Sequence, residues 1–261
     1  MKIELFEPKN EILKKYIKFI YFLTHCEKEA DVSYLVFPNL ETGITYEDNN
    51  NLLISDIHAS YMKPLLFTYQ RNINEITIVF QILGINHFLN KPLEFYLKCS
   101  TEEFRPFDDY ALEMSKSLAI QNPELKLEHI ENYWLSKLNN FSHPFLPDVI
   151  DDMITKKSES LSLKNIAETH QITIKKLKDH FKRYIGKTPS DFRKSVRFRN
   201  AIKENSFNKN DTNLTDISAA LHFFDQSHMI KDFKAMTGKS PKDFFKNLCT
   251  MHDGNINFIF C

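Results

Sequence analysis

Glycine is scarce in this chain, with five residues in 261. A Gly-rich loop wrapped on phosphates and a nucleophile elbow both need backbone that glycine adopts most readily, and neither motif occurs. Cysteine is almost as sparse. Cys26, Cys99, Cys249 and Cys261 are scattered, with no Cys-x-x-Cys pair and no metal-ligand spacing. They read as reduced, packed thiols of a cytoplasmic protein, and Cys26 and Cys99 lack any motif that would make them reactive. Long apolar runs are missing too. FIYFL (Phe19–Leu23) is far shorter than the roughly 20 residues needed to span a bilayer, and MKIELFEPKNE lacks the apolar stretch of a secretory leader. Histidines do not cluster: His25, His58 and His87 lie far apart with no His-x-His pair, and His222 and His228 have no third ligand near them. No cofactor, metal site, membrane span or enzymatic reaction is expected.

Net charge is absent as well, 34 Lys and Arg balancing 34 Asp and Glu, but the balance is uneven along the chain. Met1–Leu146 holds 14 basic against 20 acidic residues, and Pro147–Cys261 holds 20 against 14. An acidic half joined to a basic half suits a protein of which one half approaches a polyanion.

The two halves also differ in hydrophobic period. Tyr16–Thr24, Val32–Phe37, Gly43–Tyr46, Leu52–Ile57, Pro64–Tyr69 and Ile76–Leu83 are short, rich in β-branched and aromatic residues and separated by turn formers. They predict a small barrel or sandwich, its aromatic residues read as filling rather than as a cavity lining. Asp108–Ala119 and Glu124–Leu138 then carry apolar residues at helical intervals, and NNFSHPFLP (Asn139–Pro147) has the composition of a linker. Tyr133 and Trp134 are the expected anchors of a homodimer built on these two helices.

Beyond the linker one phrase occurs twice. HFKRYIGKTPSDFR (His180–Arg193) returns 52 residues later as DFKAMTGKSPKDFF (Asp232–Phe245). Before the first copy, Thr173 can cap a helix that Gly186 ends, with Ile174, Leu177, Phe181 and Ile185 on one apolar stripe. A shorter helix within Leu161–Ile172 precedes it. In the second copy Leu214–Leu221 is the short helix, Phe223 plugs the turn, and Asp225 caps a helix with Met229, Phe233 and Met236 inward. Ser190–Asn205 joins the copies as one helix. The pattern is two helix-turn-helix units, about 161–186 and 213–238.

At these residues the chain resembles the AraC/XylS family of bacterial transcription regulators. FFDQSHMIKDFKAMTGKSPKDF (Phe223–Phe244) resembles the family signature, and DFRKSVRFRNA (Asp191–Ala201) its linker-helix motif. The resemblance covers about Leu161 to Lys246. It implies two recognition helices in successive major-groove segments, with Lys175, Lys178, Asp179, Gln226, Ser227 and Lys231 facing base edges. Lys182, Lys187, Arg193, Arg197, Lys234 and Lys239 are then assigned to phosphates. The chain departs from the family at Gln171 and His222, where glycine is frequent, and at Asp179, where arginine is frequent. LKKYIKFIYF and VFPNLETGITY resemble the cupin-like sensor domains of such regulators.

The expected fold class is thus α+β multidomain. Residues 1–140 form a β-rich cupin-like barrel with two trailing helices, 141–147 a linker, and 148–261 an all-α DNA-binding domain of two helix-turn-helix units joined by a linker helix. The expected function is a sequence-specific activator of transcription. Its expected partners are double-stranded DNA, RNA polymerase, a small-molecule effector and a second copy of the chain. The alternative is an effector-binding or protein-interaction module with degenerate DNA binding.

Overall fold

The computed structural model describes residues 2–25, 32–49, 52–59, 61–69, 72–98, 104–155, 162–207, 226–251 and 256–260. The strands are β1 (Lys2–Phe6), β2 (Ile17–His25), β3 (Val32–Val36), β4 (Thr42–Asn49), β5 (Leu52–His58), β6 (Leu65–Tyr69), β7 (Ile73–Phe80), β8 (Cys249–Met251) and β9 (Ile256–Phe260). They make a five-stranded sheet in the order β1-β2-β7-β4-β5 and a four-stranded sheet in the order β6-β3-β9-β8. All pairings are antiparallel. The β-rich half expected from the sequence is thus built as two sheets and not as a closed barrel.

Side-chain alternation gives the larger sheet two different faces. Ile20 and Phe22 of β2, Ile44 and Tyr46 of β4, and Ile76, Ile78 and Phe80 of β7 point into the main core. That core is closed by α1 (Leu93–Leu97), α2 (Tyr110–Ala119) and α3 (Pro123–Ser136). Asn122 starts α3, its Oδ1 accepting from the Glu124 and Leu125 N–H groups, with Pro123 in the first turn. Trp134 is fully buried, its ring 5.2 Å from Phe80 and 5.3 Å from Phe88. The expectation that Tyr133 and Trp134 are exposed anchors of a dimer is thereby corrected. Both are needed to fill the space between α3 and the sheet, and Leu112 and Leu125 are the exposed apolar residues of α2 and α3.

The second half opens with α4 (Leu146–Ile154), followed by α5 (Leu163–Thr169), α6 (Ile174–Ile185), α7 (Pro189–Phe207), α8 (Gln226–Thr237) and α9 (Pro241–Asn247). The duplicated phrase now has a physical reading. Gly186 and Gly238 end α6 and α8 in the left-handed region, at φ of 78° and 70°. Thr188 and Ser240 then accept from the Asp191 and Asp243 N–H groups, and Pro189 and Pro241 open the next helices. Each copy is a helix stop followed at once by a helix start. Leu214–Leu221, His222, Phe223 and Asp225 lie outside the described residues, as do Cys26 and Cys99.

Two cores meet along α7. Phe192 and Val196 join Leu177, Phe181 and Ile185 of α6 in the first. Phe198, Ala201 and Ile202 join Phe233, Met236 and Phe244 in the second. Phe37, from the segment after β3, completes this second core, its ring 4.9 Å from that of Phe244.

The end of the chain corrects the expected division. The backbone of β9 pairs with β3, Tyr34 opposite Phe260 and Val36 opposite Phe258, and β8 pairs with β9. Residues Cys249–Met251 and Ile256–Phe260 therefore extend the N-terminal sheet rather than an all-α domain. A short apolar strand with unpaired backbone is satisfied by a sheet edge, which β3 offers.

Phe37→Ala is expected to destabilise the chain by about 3–5 kcal/mol, because it empties a site shared by both halves. Urea unfolding followed by circular dichroism measures this loss.

Candidate nucleic-acid interface and interdomain cavity

Thr173 caps α6 by accepting from the Lys176 N–H, and Leu177, Phe181 and Ile185 turn inward. Lys175, Lys178 and Asp179 are left on the exposed side, as are Lys176, Lys182 and Arg183. The turn before the helix contains Gln171 at a φ of 52°, a left-handed position where a side chain costs about 1 kcal/mol. On α8, Phe233 and Met236 are buried while Ser227, Lys231 and Lys234 are exposed. Gln226 begins α8, and its side chain is not among those described. Both helices thus present a polar, mostly basic surface opposite an apolar one.

Several cations assigned to phosphate from the sequence are engaged within the protein. Lys187 is buried and its Nζ donates to the Asn39 carbonyl oxygen. Burial lowers its pKa to about 8, against the opposing pull of Glu41 and Asp191. It fastens the start of α7 to the N-terminal half, and no phosphate reaches it there. Arg197 is paired with Asp232 of α8 at 3.1 Å, which makes it a strut between α7 and α8. Lys182 is exposed but lies 3.7 Å from Glu94 of α1, which packs beside α6. Arg193 and Lys239 are half-buried, and Lys234 is exposed.

The joint between the halves centres on Glu41, a residue the sequence did not single out. Its carboxylate accepts from Lys18 at 2.8 Å and from Arg199 of α7 at 2.5 Å, and Arg199 also donates to Asn39 Oδ1 at 2.8 Å. Burial alone would raise the Glu41 pKa, but Arg199 and Lys18 outweigh it and hold it at about 2. Beside this joint lies a cavity of about 100 Å³. The sheets supply most of its wall, including Phe19, Tyr34, Gly43, Thr77 and Phe67, and Phe198, Arg199 and Ile202 of α7 close it. The expected aromatic filling is therefore incomplete. Gly43, on the strand face shared with Thr45, contributes no side chain to the space.

A second joint links α6 to the linker. His143 Nε2 and His180 Nδ1 are 2.8 Å apart, so one ring donates to the other, and Tyr184 packs against His143. Burial, then the neighbouring His180 and Lys176, lower the His143 pKa to about 4, and burial is the first cause lowering that of His180. The Tyr184 carbonyl accepts from Asn86 Nδ2 at 2.9 Å. No group of three or more His, Cys, Asp or Glu among the described residues is placed to hold a metal ion. No helix among them is long and apolar enough to cross a membrane.

The profile of a family described as a helix-turn-helix domain matches residues 166–247. This segment is an AraC-type helix-turn-helix domain. The chain is accordingly a DNA-binding transcription regulator, and the family points to that role rather than to an enzyme. Among solved structures, the chain aligns with ToxT from Vibrio cholerae in its P21 form, at 13% identity and a TM-score of 0.40. That alignment covers 86% of this chain and 98% of that one. ToxT from Vibrio cholerae O395 bound to (E)-4-(8-methylnaphthalen-1-yl)but-3-enoic acid aligns at 12% identity and a TM-score of 0.42, over 94% and 97% of the two chains. Unsaturated fatty acid bound wild-type ToxT from Vibrio cholerae strain SCE256 aligns at 9% identity and a TM-score of 0.37, over 93% of each. No curated protein matches the chain.

The two joints titrate in different windows. A histidine whose folded pKa lies below its ordinary 6.5 stabilises fully above that value, so the His143 contribution drains as pH falls from 6.5 toward 4. The Glu41 contribution is complete above 4.5 and is lost as pH falls through about 2. Melting temperature measured from pH 7 to pH 3 is expected to fall across both windows. In His143→Asn the decline in the upper window is expected to shrink, while the lower one persists.

Proposed function

We propose that the protein reads DNA sequence with α6 and α8 in two successive major-groove segments and acts in the cytoplasm as an activator that meets RNA polymerase. The observation that carries this reading is the repeated device: two helices, each with an apolar face buried on α7 and a basic face outside, ended by the same Gly-Lys-Thr/Ser-Pro phrase. Residues 148–248 are the DNA-reading part of the proposal, 141–147 its linker, and the rest the sensor. Lys175, Lys178, Asp179, Gln226, Ser227 and Lys231 remain the proposed base readers, while Lys182, Lys234, Lys239 and Arg193 are proposed to meet phosphates. Lys187 and Arg197 act instead as internal fasteners. The cavity beside Glu41 is proposed as an effector site, since both halves build its wall. A homodimer through Leu112 of α2 and Leu125 of α3 belongs to the same reading.

Selection of duplexes from a random pool with the full chain tests the proposal, and failure to enrich any sequence would sink it. On the selected duplex, Lys231→Ala is expected to weaken binding by about 1–3 kcal/mol and to relax preference at one base position. An equal loss on all sequences would make Lys231 a phosphate contact.

Two helices fixed to one linker helix must meet one face of DNA about one turn apart, roughly 10 bp. Inserting ~5 bp between the two segments turns one of them away. Affinity is then expected to fall to what a single unit holds, and footprinting should show one protected segment. Unchanged affinity would mean that only one unit reads DNA.

A further inference from the structure

We propose that the cavity beside Glu41 takes an uncharged, single-ring apolar molecule carrying one hydrogen-bonding group, and that it discriminates against carboxylates. The proposal rests on the reading of this cavity as an effector site and names the chemistry of its occupant.

Size sets the first limit. The space is about 100 Å³, and an apolar cavity of roughly 150 Å³ is known to admit benzene. One ring is therefore the scale. A Cβ placed on Gly43 would meet nothing within 4 Å, so the void begins at the backbone of β4. The walls suit an apolar ring, since Tyr34 and Phe67 stack at 5.5 Å on one side and Phe19 and Val79 contribute from the opposite sheet.

Polarity sets the second. Thr45 and Thr77 bond to each other at 2.8 Å in the wall. His58 Nε2 is buried and has no hydrogen-bond partner among the described residues. Burial lowers the His58 pKa to about 4, so the ring is neutral at physiological pH and offers one hydrogen-bonding site without a charge. A buried polar atom of this kind favours an occupant with a hydroxyl or an amide to match it.

Charge sets the third limit. Glu41 and Arg199 are the charged residues of the wall, and they are already paired. Lys18, Lys187 and Lys203 stand near Glu41, but none of them lines the space. Glu41 thus occupies the place that a ligand carboxylate would take on Arg199. An incoming carboxylate would have to displace it and leave Glu41 buried with half its partners, which is costly in a water-poor site. The occupant would also touch Phe198, whose ring lies 5.2 Å from Phe233 of α8. Its presence is therefore felt by the second recognition helix.

Benzyl alcohol and benzoate, alike in size and different in charge, make the test, with calorimetric titration and melting temperature read on the full chain. The wild type is expected to bind benzyl alcohol at millimolar concentrations and benzoate about tenfold more weakly or less. Gly43→Val, and in smaller degree Gly43→Ala, should fill the void and remove benzyl alcohol binding with the circular dichroism spectrum unchanged. Glu41→Gln should release Arg199 and reverse the preference in favour of benzoate. Benzoate binding as tight as benzyl alcohol to the wild type, binding that survives Gly43→Val, or no binding of either probe would each overturn the proposal. Benzyl alcohol binding that leaves affinity for the selected duplex unchanged would uphold the ligand chemistry and remove the effector reading instead.

Discussion

A single buried carboxylate holds the two halves of this chain in register. Glu41 has little contact with water, and its charge is tolerated only because Lys18 approaches from one half and Arg199 from the other. Such a group is not a strong source of stability in itself, since the cost of desolvation offsets much of the attraction. Its importance is geometric. Neither half can leave the other without stranding a charge, so the contact is specific where a greasy interface would tolerate sliding. The Lys187 bond to Asn39 and the Phe37 ring in the second core repeat the same arrangement with other chemistry.

The linker helix gains its meaning from this constraint. One side of α7 carries the first helix-turn-helix core through Phe192 and Val196, and its later turns carry the second through Phe198, Ala201 and Ile202. Arg199 rises from the same turns into the joint, and Arg197 reaches Asp232 on α8. One rigid element thus touches the cavity, both cores and α8. The cavity wall and α8 are thereby only one ring contact apart, Phe198 against Phe233.

Much of the helical half was legible because its signals are local. The Thr173 cap, the Gly186 stop and the apolar stripe of α6 each depend on neighbours within a few residues, and periodicity reports such things directly. The strands of the first half were visible for the same reason, apart from β1, where Lys2 and Glu4 interrupt the apolar residues. Strands β8 and β9 went unread because they follow a long helical stretch. What stayed hidden depends on distant partners. Nothing around Glu41 in the sequence announces Arg199, 158 positions away, and Lys187 looks like any surface lysine in a basic stretch. Trp134 suits an interface or a core equally well until the sheet beneath it is known. The incomplete filling of the cavity had one faint sign, a glycine inside a strand that is otherwise β-branched and aromatic.

Pairing of β9 with β3 changes the connectivity of the molecule in a way that its domain list conceals. Followed along the chain, the DNA-binding helices leave the N-terminal half after α3 and come back to it at β8 and β9, so they form an inserted loop rather than an appendage. A body anchored at two points can rotate about the line between them but cannot swing away as a hinged arm does. Cutting the chain before α4 would leave the helices attached to the sheet through their last strand, and cutting after α9 would leave them hanging from the linker. The two cuts are not equivalent, and neither frees a self-contained unit.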